Sequence, residues 1–382
     1  ASIWLLAPSL PLQAQSPIRI GLTLALTGQY SREASYQREA YLLWEEEINR
    51  RGGLLGRPVA LFVRDDRSDP AQSARLYEEL IVEERVDLVL CPYSSSVTFP
   101  VSAVVERLRY PMLAGGASAA EIWQQGYRYI FGVYAPAPAY FEGMIELAAE
   151  RGVKSVAVLN DGSTFARSSV LGVIRMARDR GIRVVINEEY ASPLADARPA
   201  LLKVRQLWPE LLVVGSYLKD ALLITSQARE VDLRVKGMAF SVGPAMPEFA
   251  KNLGRDAEYI FGPSMWEPSL RTLGNKEFVD RYRARWGRDP DYHAATAWTA
   301  VTVLETAARR AGSLDRERIR RAITDIEMET ILPGRFEVDR SGLQVGHKAL
   351  IVQWQKGRKE IVWPRQHATA RPIFPVPPWH RR

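Results

Sequence analysis

Residues 18–28 read Ile-Arg-Ile-Gly-Leu-Thr-Leu-Ala-Leu-Thr-Gly. The near-continuous apolar run over 18–24 predicts a strand covered on both faces, and Thr27-Gly28 predicts the turn that leaves it. Downstream, Tyr41, Leu42, Trp44 and Ile48 recur at helical spacing over 39–51, and Gly52-Gly53 stops that helix because glycine accepts the left-handed C′ conformation. A second strand is expected at 59–63, running into Arg64-Asp65-Asp66. Asp69-Pro70 then opens another helix, and a third strand follows at 86–91. Strand, helix, strand, helix, strand in about seventy residues implies right-handed crossovers and a parallel sheet, that is, an α/β fold.

The alternation continues in both register and length. Helix is expected at 95–107, strands at 111–113 and 129–131, and an amphipathic helix at 140–151. Residues 155–159 repeat the opening theme with a polar turn at 160–164, a helix at 166–180 and a strand at 184–187. Strand 211–215, helix 221–230 and strand 236–240 follow. Two similar blocks emerge, 17–134 and 138–262. Helices at 276–286, 293–311 and 315–325, with strands at 334–338, 348–354 and 359–363, are too few for a third domain and must complete the first two. The expected organisation is a first lobe of 17–135 plus 264–340, a second of 136–263 plus 341–364, and a proline-rich extended tail at 365–382. Chain crossings near 134–138, 262–265 and 338–348 form a hinge. Residues 1–16 begin ASIWLLAPSLPLQAQ. They are expected to be the remainder of a secretory signal peptide, cleaved after Ala14, or a disordered arm.

Composition narrows the function. The chain has 382 residues, 47% hydrophobic and 25% charged, which suits a globular protein with more than one core. The formal charge of +7 is spread along the chain and not gathered into a stripe, so nucleic acid is not expected as a partner. One cysteine, Cys91, excludes an intrachain disulfide and any multi-thiolate metal centre. The four histidines are scattered, so neither metal nor cofactor is expected.

Candidate chemistry sits where strands meet helices. In Cys91-Pro92-Tyr93-Ser94-Ser95-Ser96 the serines fall at a helix N-terminus, where free N–H groups and hydroxyls either cap the helix or hold an anion. Gly115-Gly116-Ala117-Ser118 has the same character, with small residues that admit a ligand close to the backbone. Tyr30, Tyr93, Tyr134, Phe165, Tyr217, Trp266 and Tyr292 lie near such loops. They are either aromatic walls for an apolar ligand or core residues.

An ordered set of segments carries a resemblance: IRIGLTLALTG at 18–28, EINRRGGLLGRPV at 47–59, RDDRSDP at 64–70, CPYSSSVT at 91–98, PMLAGGASAAEIW at 111–123, GVKSVAVLNDGSTFA at 152–166, QAREVDLRVKG at 227–237 and VGPAMPEF at 242–249. The chain resembles the type I periplasmic solute-binding proteins of branched-chain amino acid ABC transporters. The resemblance implies two Rossmann-like lobes with parallel sheets and a three-crossing hinge. It also implies an extracytoplasmic, monomeric binding protein that captures a small carboxylate between the lobes and passes it to a membrane permease. Carried onto this chain, Ser95 donates to the ligand carboxylate, Gly116 offers its carbonyl, and Ser118 its backbone and hydroxyl, while Phe165 and Tyr217 close from the second lobe. One departure stands out. Relatives that bind aliphatic amino acids place an acid after the Gly-Pro of the second lobe, and here that residue is Ala245. Either Glu33, Asp220 or Glu248 substitutes, or the ligand is an aromatic or other carboxylate or amide without an ammonium group.

Two rival classes find little support. Gly52-Gly53-Leu54-Leu55-Gly56 follows a helix, whereas a dinucleotide fingerprint follows a strand. No P-loop or Gly-x-Ser-x-Gly elbow is present, so no enzyme is expected. A ligand-sensing regulator of the same fold would need an output element, and none is legible in the sequence.

Overall fold

The computed structural model describes residues 16–382; the expected signal segment lies almost wholly outside these residues. In chain order the elements are β1 (Ile18–Leu24), α1 (Ser31–Arg50), β2 (Val59–Asp65), α2 (Pro70–Glu78), β3 (Leu88–Val89), α3 (Ser95–Leu108), β4 (Met112–Ala114) and β5 (Ile130–Gly132). Then come α4 (Glu142–Glu150), β6 (Ser155–Asn160), α5 (Thr164–Asp179), β7 (Arg183–Glu189), α6 (Arg198–Gln206), β8 (Leu211–Gly215), α7 (Leu218–Glu230), β9 (Gly237–Phe240), α8 (Pro247–Leu253) and β10 (Phe261–Ser264). The chain ends with α9 (Asn275–Trp286), α10 (Tyr292–Ala311), α11 (Arg316–Thr324), β11 (Met328–Glu329), β12 (Arg335–Phe336), β13 (Leu350–Gln355) and β14 (Arg358–Trp363).

The first lobe is built on β2-β1-β3, all parallel, beside the parallel pair β4-β5. The second is built on a seven-stranded sheet, β14-β13-β10-β9-β8-β6-β7, parallel except where β13 and β14 run against their neighbours. Strands β6 and β8 are buried along their whole length, which is why they read as unbroken apolar runs. Helices α1 and α10 pack together, so a segment of sequence from beyond β10 completes the first lobe.

Strand β13 pairs with β10, returning the chain to the second sheet. Before that return, Gly342 still accepts from the Gly132 amide of β5 at 2.8 Å. At 342 the chain is therefore still on the first lobe, past the expected end of that lobe at 340 and inside the 338–348 span expected for the third crossing. The 334–338 strand shrinks to Arg335–Phe336, and α1 starts eight residues before the expected 39. Helices α6 and α8 escape a periodicity reading because each is short; both nonetheless carry proline in their first turn, a start signal.

The proline-rich tail lies across the second lobe. The Ile373 backbone donates to Gln353 Oε1 and accepts from Gln353 Nε2, Val376 donates to the Lys236 carbonyl at 2.9 Å, and the Trp379 indole donates to the Leu233 carbonyl at 2.9 Å. Phe374 is buried against Gly237, where a Cβ would come within 2.9 Å of its ring. Among the described residues no helix is long and apolar enough to cross a membrane, and no group of three or more ligating side chains is placed to hold a metal.

Candidate functional site

The loops that leave the carboxyl ends of β3 and β4 in the first lobe face those that leave β6, β8 and β9 in the second. This is the crevice where open α/β sheets place their ligands. Tyr93, Ser94, Ser95, Gly116, Ser118, Tyr134 and Tyr292 from one side meet Tyr140, Phe165, Tyr217 and Val242 on the other around a small inner cavity of ≈ 10 Å³. That volume is about enough for one water. A wider cleft of ≈ 600 Å³ opens outside it, and Tyr217 borders both.

The first-lobe wall consists of donors. Ser94 is the N-cap residue of α3, yet its hydroxyl is buried and has no partner, so it does not cap its own helix. The leading amides of α3 have no partner within the helix, which makes this end electropositive. Ser95 Oγ accepts from the Ser118 and Ala119 amides, both at 3.1 Å, which ties the two loops together and leaves its proton free to donate. Ser118 Oγ and the Tyr140 hydroxyl are 2.9 Å apart. Gly116 has to be glycine: a Cβ there would sit 2.5 Å from the Pro92 carbonyl oxygen and 2.8 Å from Gln37 Nε2.

Behind this wall, Asp291 Oδ2 holds His293 Nδ1 at 2.8 Å, and His293 Nε2 lies 3.1 Å from the Tyr93 hydroxyl. Asp291 also caps α10 by accepting from the His293 and Ala294 amides. The sequence gives little hint of this relay, because Tyr93 and His293 are 200 residues apart. Gln37, which donates to the Gly115 carbonyl at 2.8 Å, was equally hidden. Cys91 is buried beneath the same loop, and burial pushes its thiol up to about 12.

The second-lobe wall is aromatic. Phe165 packs edge-on against Tyr140 at 5.1 Å and against Tyr217 at 5.7 Å; Tyr217 meets Tyr30 at 4.7 Å across the cleft. Further contacts cross between the lobes. Thr164 donates its amide to Ser96 Oγ at 3.2 Å, and Tyr36 donates to Glu248 Oε1 at 3.0 Å, with Arg32 paired to the same carboxylate. In the outer cleft, burial pushes Asp161 up to about 6.

Of the residues singled out from sequence, Tyr93, Ser94, Ser95, Gly116, Ser118, Tyr134, Phe165, Tyr217 and Tyr292 line the inner cavity. Tyr30, Glu33, Asp220 and Glu248 border the outer cleft instead, and three more line neither. Ala117 packs into the first-lobe core. Trp266 is wholly buried, with its indole donating to Asn275 Oδ1 at 2.6 Å and its ring against Phe278. Ala245 is also wholly buried; its carbonyl accepts from the Lys359 ammonium, and Val242 takes the place on the lining. Tyr140 and Val242 line the cavity without having been anticipated.

The sequence pattern of the periplasmic binding protein family matches residues 17–359. The chain belongs to that family. It is 25% identical over 352 residues to the leucine-, isoleucine-, valine-, threonine- and alanine-binding protein of Pseudomonas aeruginosa, covering 90% of this chain and 91% of that one. Its fold is that of the type I members. It superposes on the leucine-binding protein LivK of Thermotoga maritima with a TM-score of 0.83 at 22% identity, covering 90% and 97% of the two chains. It also superposes on an ABC transporter solute-binding protein of R. palustris in complex with benzoate, with a TM-score of 0.81 at 18% identity, covering 91% and 96%. The matched relatives are binding proteins and not enzymes, and this periplasmic binding protein carries the same two-lobed architecture.

Proposed function

We propose that this chain is the extracytoplasmic substrate-binding component of an ABC importer, a monomer that captures a small amino acid or related carboxylate between its lobes and delivers it to a membrane permease. The observation that carries this reading is the first-lobe wall. The electropositive end of α3, the partnerless Ser94 hydroxyl and the free proton of Ser95 converge on one buried point. A carboxylate there gains charge-assisted hydrogen bonds without any covalent step, so the ligand leaves unaltered.

The lobes close around it. Three crossings between them form the hinge, and with the faces this close the inner cavity admits little more than a water, so ligand entry requires the faces to part. A ligand that touches both walls binds the closed form better and shifts the population toward it. A second reading, an aromatic or other amine-free acid, draws on the ring-lined cavity, whose lining carries Val242 and no carboxylate side chain. A thermal-shift panel of aliphatic and aromatic amino acids beside their amine-free counterparts tests the proposal. A rise in Tm with at least one carboxylate is expected; no response to any of them counts against it.

A further inference from the structure

We propose that a second binding site lies on the flank of the second lobe, an arginine-rimmed groove that takes the phosphoryl group of a phosphate monoester. It shares no residue with the ligand cleft, and it is built in part by the proline-rich tail, to which the binding function assigns no role.

The groove lies between the end of α4, the end of β14 and residues 365–372, and its volume of ≈ 1070 Å³ exceeds the ≈ 600 Å³ of the outer cleft. Leu147 and Val362 are its buried floor. Trp363 is half-buried beside them, with its ring packed on Gly143 of α4. The rim is Arg151, Arg365 and Arg371, all exposed, and Glu150 is the one acid among the lining residues.

The rim is held in place. Arg151 donates from Nη1 to the Phe374 carbonyl at 2.8 Å. The tail backbone that carries the other two arginines is fastened to the sheet. The Thr369 amide donates to the Ile361 carbonyl at 2.8 Å, the Ile361 amide donates to Thr369 Oγ1 at 2.9 Å, and Gln355 Nε2 donates to the Arg371 carbonyl at 2.9 Å. A backbone fixed in this way has less freedom to lose when a ligand arrives.

Charge selects the ligand. Among the described residues no carboxylate forms an ion pair with any of the three guanidinium groups, and Glu146, one turn before Glu150, is already paired with Arg180. One acid against three arginines leaves the groove two positive charges to balance. A monocarboxylate supplies half of that. A phosphate monoester carries about −1.5 to −2 at pH 7 and accepts bidentate bonds from guanidinium forks. The groove is larger than a bare phosphate, so it has room for the body of a soluble phosphoester or for the head of a phosphatidate lipid, with the remainder of either against Leu147, Val362 and Trp363.

The test is calorimetry on the full chain with inorganic phosphate and glycerol 3-phosphate, beside co-sedimentation with phosphatidylcholine vesicles prepared with and without phosphatidate. Saturable binding is expected in at least one arm, weakening as salt rises. A response to the soluble phosphates alone supports a dissolved ligand, and a response to phosphatidate vesicles alone supports a lipid one. The paired substitution Arg365→Gln and Arg371→Gln removes two exposed charges. It is expected to weaken that binding about tenfold or more and to leave the Tm of the unliganded protein unchanged. Binding that survives the paired substitution overturns the inference, because the phosphate is then held elsewhere. So does the absence of binding in every arm. Hexaglutamate that binds where the phosphates do not also overturns it, and would mark the groove as a seat for an acidic protein segment.

Discussion

The two walls of the cleft are chemically unlike. The first-lobe wall is made of helix-end amides and serine hydroxyls pinned by bonds within its own lobe, such as Ser95 to the Ser118 and Ala119 amides and Asp291 through His293 to Tyr93. The second-lobe wall is made of rings, Phe165 and Tyr217, whose partners include Tyr30 across the cleft. Donors fixed in advance lose little freedom when a ligand arrives, whereas rings that meet their partners only on closure contribute once the lobes move. Under the proposed function, the contrast amounts to a division of labour in which the first lobe recognises and the second retains.

That division can be broken at either wall. The larger effect is expected at the recognising one. Ser95→Ala removes a charge-assisted donor and unties the 94–96 loop from the 115–118 loop, so affinity for the best carboxylate should fall roughly ten- to a hundredfold in calorimetry. A change under twofold would remove Ser95 from the ligand contacts. The smaller effect belongs to the retaining side. Glu248→Gln keeps the shape but removes the ionic part of the contact with Arg32, half of which is solvent-exposed; the loss should be about two- to fivefold, seen mainly in the dissociation rate by stopped-flow fluorescence. An effect confined to the association rate would mean that this pair steers encounter and does not hold the lobes together.

How much of this was legible beforehand follows from the physics of each element. Strands β1, β6 and β8 are covered on both faces, so burial writes itself as apolar runs that need no partner to be read. The serine and glycine loops were legible as strand-to-helix turns, because small polar residues collect at helix N-termini. Contacts that fold together distant segments left no such trace. His293 reads as one of four scattered histidines until α10 brings it against Tyr93. The first two turns of α1, which carry Glu33 and Gln37, precede the stretch whose apolar spacing announced a helix. Trp266 shows the converse error: an aromatic after a hinge strand looks like a cleft wall, but its indole found a buried acceptor in Asn275 and its ring found Phe278.

The central claim is that a carboxylate sits on the α3 end between Ser94, Ser95 and Ser118. The most direct measurement is a calorimetric titration with whichever acid gives the largest thermal shift, run beside its primary amide, which has nearly the same shape and no charge. The amide is expected to bind at least about tenfold more weakly. Equal affinity for acid and amide would contradict the account.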